Sequence, residues 1–249
     1  MTNIPERIQK VLARAGIGSR REIEIWIKSG RLSINGQTAV LGDKITLRDR
    51  VHLDGELLRV SKTITNRIRL LAYHKPAGEV CTRNDEKGRK TVFAALPGIR
   101  NGKWINIGRL DLNTSGLLLF TNNGDLANRL MHPSYEIERE YAVRVLGEVG
   151  KTVLNKLLSG VELEDGMARF ESIHDGGGRG SNHWYHVVIR EGRNREIRRI
   201  WESQGIKVSR LIRVRFGPLR LSRRLPPGHY EELDQIAVNK FLQATGYRD

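Results

Sequence analysis

Between Trp104 and Thr121 two apolar runs are separated by one carboxylate, Asp111, and a cluster of turn-forming residues. The first run alternates Ile105 and Ile107 with Trp104, Asn106 and Gly108. The second, Leu117 to Phe120, is short and continuously apolar, which suits a strand buried on both faces. Asn113, Thr114, Ser115 and Gly116 make tight turns, either by bonding nearby backbone or by tolerating positive φ. This order constrains the fold: the chain must bring backbone from two core strands together at Asp111. On spacing alone, capping the turn is the commoner use of such an aspartate and a catalytic role the rarer one.

Charge narrows the possible partners. The chain has 249 residues, 43 of them Lys or Arg and 28 Asp or Glu, for a net charge of +15, so a polyanion is expected. Residues 190 to 224 hold twelve basic and three acidic residues, and this +9 block reads as a surface for phosphates. No apolar run approaches the roughly 20 residues that cross a bilayer, and the N-terminus lacks an apolar signal core, so a cytoplasmic location is expected. Cys81 is the single cysteine and cannot form an internal disulfide; the seven histidines show no metal-ligand spacing. No metal, nucleotide or other cofactor is expected.

The length allows one large or two unequal domains. Ile8, Val11, Leu12 and Ala15 form one apolar face of a helix over Glu6 to Ala15, with Arg7, Lys10 and Arg14 on a neighbouring face. Ser19 and Glu22 form a capping box that opens a second helix, which buries Ile23, Trp26 and Ile27 and ends at Gly30. Arg20 and Arg21 occupy its first turn, where the helix dipole disfavours cations and a bound phosphate would relieve the conflict. A hairpin follows, with an Asn35-Gly36 turn between Leu32–Ile34 and residues 38–40, then a strand around 50–53 and an Asp-Gly turn. Residues 61–67 are short, polar and unpatterned, and are expected to link residues 1–60 to a larger domain, 68–249.

In that domain residues 69–73 are expected to form a strand, and residues 74–78 a turn in which Lys75 is solvated. Asp125 to Met131 is a short helical candidate stopped by Pro133. Residues 138–145 alternate as a strand, with Tyr141 on the face of Val143 and Val145. The glycine-rich run 176–180 is expected at a hairpin tip, followed by a strand over 186–190. Asn194 is expected to cap a helix that buries Ile197, Ile200 and Trp201 and ends at Gly205. A last helix is expected from Glu231 to Ala244.

Gly108-Arg109-Leu110-Asp111-Leu112-Asn113-Thr114-Ser115-Gly116-Leu117-Leu118-Leu119 resembles the signature loop of the pseudouridine synthases, in the branch that modifies ribosomal RNA. Arg139-Glu140-Tyr141 and the Gly192-Arg193 to Ile197-Arg198 stretch match two further motifs of that family. Ser19-Arg20-Arg21-Glu22 and Gly30 to Gly36 resemble the S4 RNA-binding module. The resemblance implies an α+β fold: a small S4-like module, then a mixed, mainly antiparallel sheet with flanking helices. It implies isomerisation of a uridine in ribosomal RNA, most of all large-subunit RNA, by a monomer needing no cofactor. Asp111 falls on the family's catalytic aspartate, Tyr141 on its active-site ring, and Arg198 on the arginine that pairs with the aspartate. Ile197 is then expected to pack near the tyrosine. Arg7, Lys10, Arg14, Arg20, Arg21, Arg109, Arg193, Arg195 and Arg199 are expected to face RNA. Two other classes remain open: a non-catalytic S4-type RNA-binding factor, and an RNA N-glycosylase that uses Asp111 with water.

Overall fold

The computed structural model describes residues 4–60, 67–99 and 102–247. Its contacts divide into two units. One comprises Met1–Ile68 with Pro97–Ile105 and Asn122–Gly124, the other Arg69–Leu96, Asn106–Thr121 and Asp125–Asp249. Except for Arg67, the expected linker lies outside the described residues.

The first unit contains β1 (Glu6–Arg7), α1 (Ile8–Arg14), α2 (Arg20–Lys28), β2 (Leu32–Ile34), β3 (Gln37–Thr38), β4 (Lys44–Ile45), β5 (Val51–Leu53) and β6 (Glu56–Leu57). Four of these strands form an antiparallel sheet in the order β3-β2-β5-β6. Ile8, Leu12 and Ile23 from the helices meet Leu32 and Val51 from the sheet in one core. The capping box forms as expected: the Glu22 amide donates to Ser19 Oγ at 3.1 Å, and the Ser19 amide donates to the Glu22 carboxylate at 2.7 Å. The first helix starts later than its periodicity suggests. Glu6 and Arg7 are drawn into a bridge with Ile45 and Lys44, which satisfies backbone groups that a helix start would leave open.

The second unit is built from β7 (Leu70–Lys75), β8 (Ile105–Ile107), β9 (Ser115–Thr121), α3 (Gly124–Met131), β10 (Arg139–Leu146), α4 (Lys151–Ser159), β11 (Val161–Leu163), β12 (Gly166–Ala168), β13 (Ser172–Arg179), β14 (Asn182–Ile189), α5 (Glu196–Glu202), β15 (Val208–Phe216), β16 (Leu219–Arg220), β17 (Tyr230–Glu232) and α6 (Gln235–Ala244). Its sheet runs β13-β14-β10-β15-β9-β7-β17, with β8 added on β9 and β16 on β15. Every registered pair is antiparallel except β9 with β15, which run parallel and align Ser115 with Ile212 and Gly116 with Arg213. Leu117 to Phe120 of β9 have no exposure, so the continuous apolar run does lie at the centre of the sheet. No helix among the described residues is long and apolar enough to cross a membrane.

The structure departs from three further expectations. Residues 176–178 are not a hairpin tip. They lie inside β13 opposite β14, with a register shift between Asp175 and Gly177, and the chain turns beyond Arg179. Small residues at a bulge and at a turn give the same sequence signal. The cap of α5 is Arg195, with left-handed backbone (φ 49°), rather than Asn194. The last helix begins at Gln235, because the Asp234 side chain accepts from the Ala237 amide and Tyr230–Glu232 adds an edge strand to β7.

Candidate active site

Asp111 sits in the turn that leads into β9. The turn closes with the Thr114 amide donating to the Asp111 carbonyl at 3.0 Å. Lys75, at the end of β7, is completely buried; its ammonium donates to the carbonyls of Thr114 (2.8 Å), Asp111 (3.1 Å) and Pro76 (3.1 Å). The expected solvated lysine is therefore a pin through the Asp111 loop. Burial lowers its pKa, while Cys81, Glu79 and Asp111 oppose that shift. On the far side of the loop, Cys81 lies against the Leu110 backbone, 3.4 Å from its carbonyl oxygen and 3.5 Å from its amide.

The Asp111 carboxylate has no hydrogen bond or ion pair among the described residues, and it lines a cleft of about 910 Å³. Tyr141 lines the same cleft from the middle of the sheet and is nearly buried. Ile197 joins them there, as does Arg109, which is exposed on the loop itself. Asp111, Tyr141, Ile197 and Arg109 are thus brought together as the motifs suggest.

Arg198 does not form the expected ion pair. Its Nη1 donates to the Val208 carbonyl at 2.8 Å and its Nη2 to the Asn113 carbonyl at 3.1 Å. Both ends of a buried fork are committed to carbonyls, and one of those belongs to the Asp111 loop. Arg198 therefore holds the backbone two residues from the carboxylate instead of the carboxylate itself. Burial lowers its pKa, with Arg195 adding to the effect and Asp111 and Glu202 opposing it.

In the second unit, two of the arginines expected to face RNA are used by the protein. Arg193 donates to the carbonyls of Asp165, Gly166 and Met167 and pairs with Glu191 at 2.6 Å. Arg199 forms a two-pronged pair with Asp165, 2.8 Å on each side. Both fasten α5 to the turn between β11 and β12. In the first unit, Lys10 and Arg14 both pair with Glu6, at 2.9 and 2.7 Å. Burial alone would raise the Glu6 carboxyl, but the hydrogen bonds from Arg14 and Lys10 outweigh it and hold the pKa down. Arg7, Arg20, Arg21, Arg109 and Arg195 remain at the surface, Arg195 with a loose 3.8 Å pair to Glu202.

Sequence reasoning missed Arg139 and Arg213, both of which line the cleft. Arg139 donates to the carbonyls of Arg190 (2.6 Å) and Glu191 (3.0 Å), and burial lowers its pKa. Arg213 is 2% exposed and donates from Nε to the Leu117 carbonyl at 2.7 Å. Alternation along residues 208–216 puts Arg213 on the face of apolar Leu211, but it puts Arg215 there too, so the sequence pattern does not single Arg213 out.

A cleft that sets an unpartnered carboxylate beside an aromatic ring, on a sheet with one internal parallel pairing, can be compared with known proteins. Residues 69–203 match the family model described as RNA pseudouridylate synthase, and residues 6–51 match the S4 domain. A protein of Pseudomonas aeruginosa named ribosomal large subunit pseudouridine synthase B is 55% identical over 246 residues, covering 98% of this chain. This chain spans 64% of that relative's length. A Vibrio cholerae protein of the same name is 57% identical over 244 residues, covering 98% of this chain and 76% of the relative. A solved structure titled a pseudouridylate synthase superposes with a TM-score of 0.65 at 26% identity, covering 94% of this chain and 99% of that one. The domain model takes in more than half of the chain, including Asp111, Tyr141 and Arg198, so the chain belongs to the RNA pseudouridylate synthase family.

Proposed function

We propose that this protein converts a specific uridine of large-subunit ribosomal RNA to pseudouridine, with Asp111 as the reacting carboxylate. The observation that carries this reading is the bare Asp111 carboxylate in a cleft with the Tyr141 ring. The reaction breaks the N1–C1′ bond and its electron pair leaves with the base. The base turns, C5 bonds to C1′, and the proton on C5 is lost while N1 gains one. Atoms and electrons balance within the nucleotide, so no donor or oxidant enters.

A carboxylate can stabilise the positive character that builds at the sugar, or bond to it. Asp111 suits this because no donor among the described residues occupies its oxygens. The loop must hold its aim without touching those oxygens. Lys75 and Arg198 do this through the carbonyls of Asp111, Thr114 and Asn113. Arg198 is a positioning residue in this scheme. A base stacked in a helix cannot enter the cleft, so the uridine is flipped out and stacks on Tyr141.

Residues 1–60 act in this proposal as the S4-like RNA-binding domain, 61–67 as linker and 68–249 as the catalytic domain. The S4 match and the exposed Arg7, Arg20 and Arg21 support RNA contact by the first domain. Arg109 and Arg195 support it at the cleft. The protein is proposed to work as a monomer in the cytoplasm, where assembling ribosomal particles carry the substrate.

The test is release of tritium from ribosomal RNA carrying 5-tritiated uridine, without added metal or nucleotide. The wild type should release it, and Asp111→Asn should bind the RNA and release none. Binding without release by the wild type would favour an RNA-binding factor, and free uracil in solution would favour an N-glycosylase.

A further inference from the structure

The guanidinium of Arg213 presents an imbalance that the fold does not explain. The side chain is 2% exposed, and its Nη2 is buried without a hydrogen-bond partner among the described residues. Its Nε is committed to the Leu117 carbonyl, and its guanidinium carbon lies 5.3 Å from the centre of the Phe216 ring. A buried charged donor left unmatched costs free energy, and such groups in native proteins mark strain, an ordered water or a ligand's place.

Three placements point to a ligand. Arg213 lines the cleft that holds Asp111 and Tyr141. In the sheet register it stands directly opposite Tyr141 of β10, so the two side chains share a face as close cross-strand neighbours. On its other side it aligns with Gly116 of β9, five residues beyond Asp111. Arg109 is exposed, as a phosphate contact requires, whereas Arg213 is 2% exposed and lines the cleft, a setting that suits an extruded base.

We infer that Arg213 is a catalytic residue whose Nη2 donates a hydrogen bond to a carbonyl oxygen of the flipped uracil. When the N1–C1′ electrons leave with the base, the negative charge is shared by O2 and O4. A preorganised donor out of water stabilises that charge more than it stabilises the neutral uridine. Arg213 thus serves the departing base while Asp111 serves the sugar. The inference rests on uridine isomerisation in this cleft.

The experiment uses the full chain and single-turnover tritium release from ribosomal RNA with 5-tritiated uridine at the mapped target. Release by the wild type establishes the reaction before any Arg213 result is read. Arg213→Met should slow release by about 100-fold or more, with RNA affinity changed less than about threefold. A second arm places 2-thiouridine or 4-thiouridine at the target, because sulfur is a poorer acceptor than oxygen. One of the two should slow the wild type and have no further effect on Arg213→Met. Should Arg213→Met lose its cooperative melting transition, Arg213→Lys is read in the same two arms. Equal sensitivity of wild type and variant to both thio substitutions would overturn the inference. So would an acid limb of the rate profile moved to higher pH in the variant, which would make Arg213 a partner of the Asp111 carboxylate instead.

Discussion

Lys75 is invisible as a functional residue in the sequence because two of the three carbonyls around it come from another part of the chain. Next to Pro76 and Gly78 it reads as a turn lysine, yet three backbone oxygens 2.8 to 3.1 Å away fix it inside the unit. Hydrogen bonds to charged groups contribute about 1.5–3 kcal/mol, and removing one side of a buried set strands the other. Lys75→Met should therefore lower unfolding free energy by about 2–4 kcal/mol in urea melts, and slow tritium release at temperatures where it is still folded. Unchanged stability would mean that desolvation of the ammonium cancels its three bonds. Asp165 is a second case, in which the cation was visible and its partner was not. Arg199 holds the Asp165 carboxyl down to about 2, chiefly through its hydrogen bonds. A carboxyl depressed in the folded state stabilises fully above its unfolded value near pH 4, and this contribution fades as pH falls toward 2. The gap in urea midpoint between wild type and Asp165→Asn should be constant from neutral pH to about 4 and narrow below it. Asp111 and Tyr141 were legible because their motifs are contiguous in the chain. The roles of Lys75, Arg213 and Asp165 depend on distant segments and were not.

At the scale of elements, the parallel contact between β9 and β15 positions the cleft, since it sets the strand that follows the Asp111 turn beside that of Arg213. It works only because residue 116 is glycine. Its φ is +107°, and a Cβ there would lie 2.3 Å from the Arg213 carbonyl oxygen and 2.6 Å from its amide nitrogen. Both obstacles are backbone, so neither can rotate away. Gly116→Ala should cost about 2–4 kcal/mol in chemical denaturation, with loss of tritium release, whereas Gly108→Ala, with open space around its Cβ, should cost less. Equal stability of the two variants would show that the strand pair adjusts freely. Patterning located α2, β9 and β10 because each has a dominant buried face and its own punctuation. It misplaced the glycine run of β13 and the start of α6, where the deciding factors are a bulge against β14 and pairing with β7. Those are tertiary pairings, and local propensity carries no record of them.

Across the whole molecule, the +9 block is a poorer guide to RNA than its count suggests. Arg190, Arg215 and Arg220 pair with Glu138 or Glu140, and Arg193 and Arg199 with Asp165, so much of that charge is balanced inside the protein. Outside that block, Arg20 and Arg21 are exposed at the start of α2. Each costs about 0.3–1 kcal/mol there, because the helix dipole is positive at that end. Placement against the dipole is expected if the pair meets phosphate, and binding and stability then respond in opposite directions. Arg20→Ala with Arg21→Ala should raise the urea midpoint slightly. The same change should weaken ribosomal RNA binding and flatten the plot of log affinity against log salt by about 1.5, since each lost phosphate contact removes about 0.7–0.9. At saturating RNA the rate of tritium release should be that of the wild type, because neither residue lines the cleft. A more stable variant with an unchanged salt slope would place these two arginines outside the RNA interface and leave their cost to α2 without a functional return.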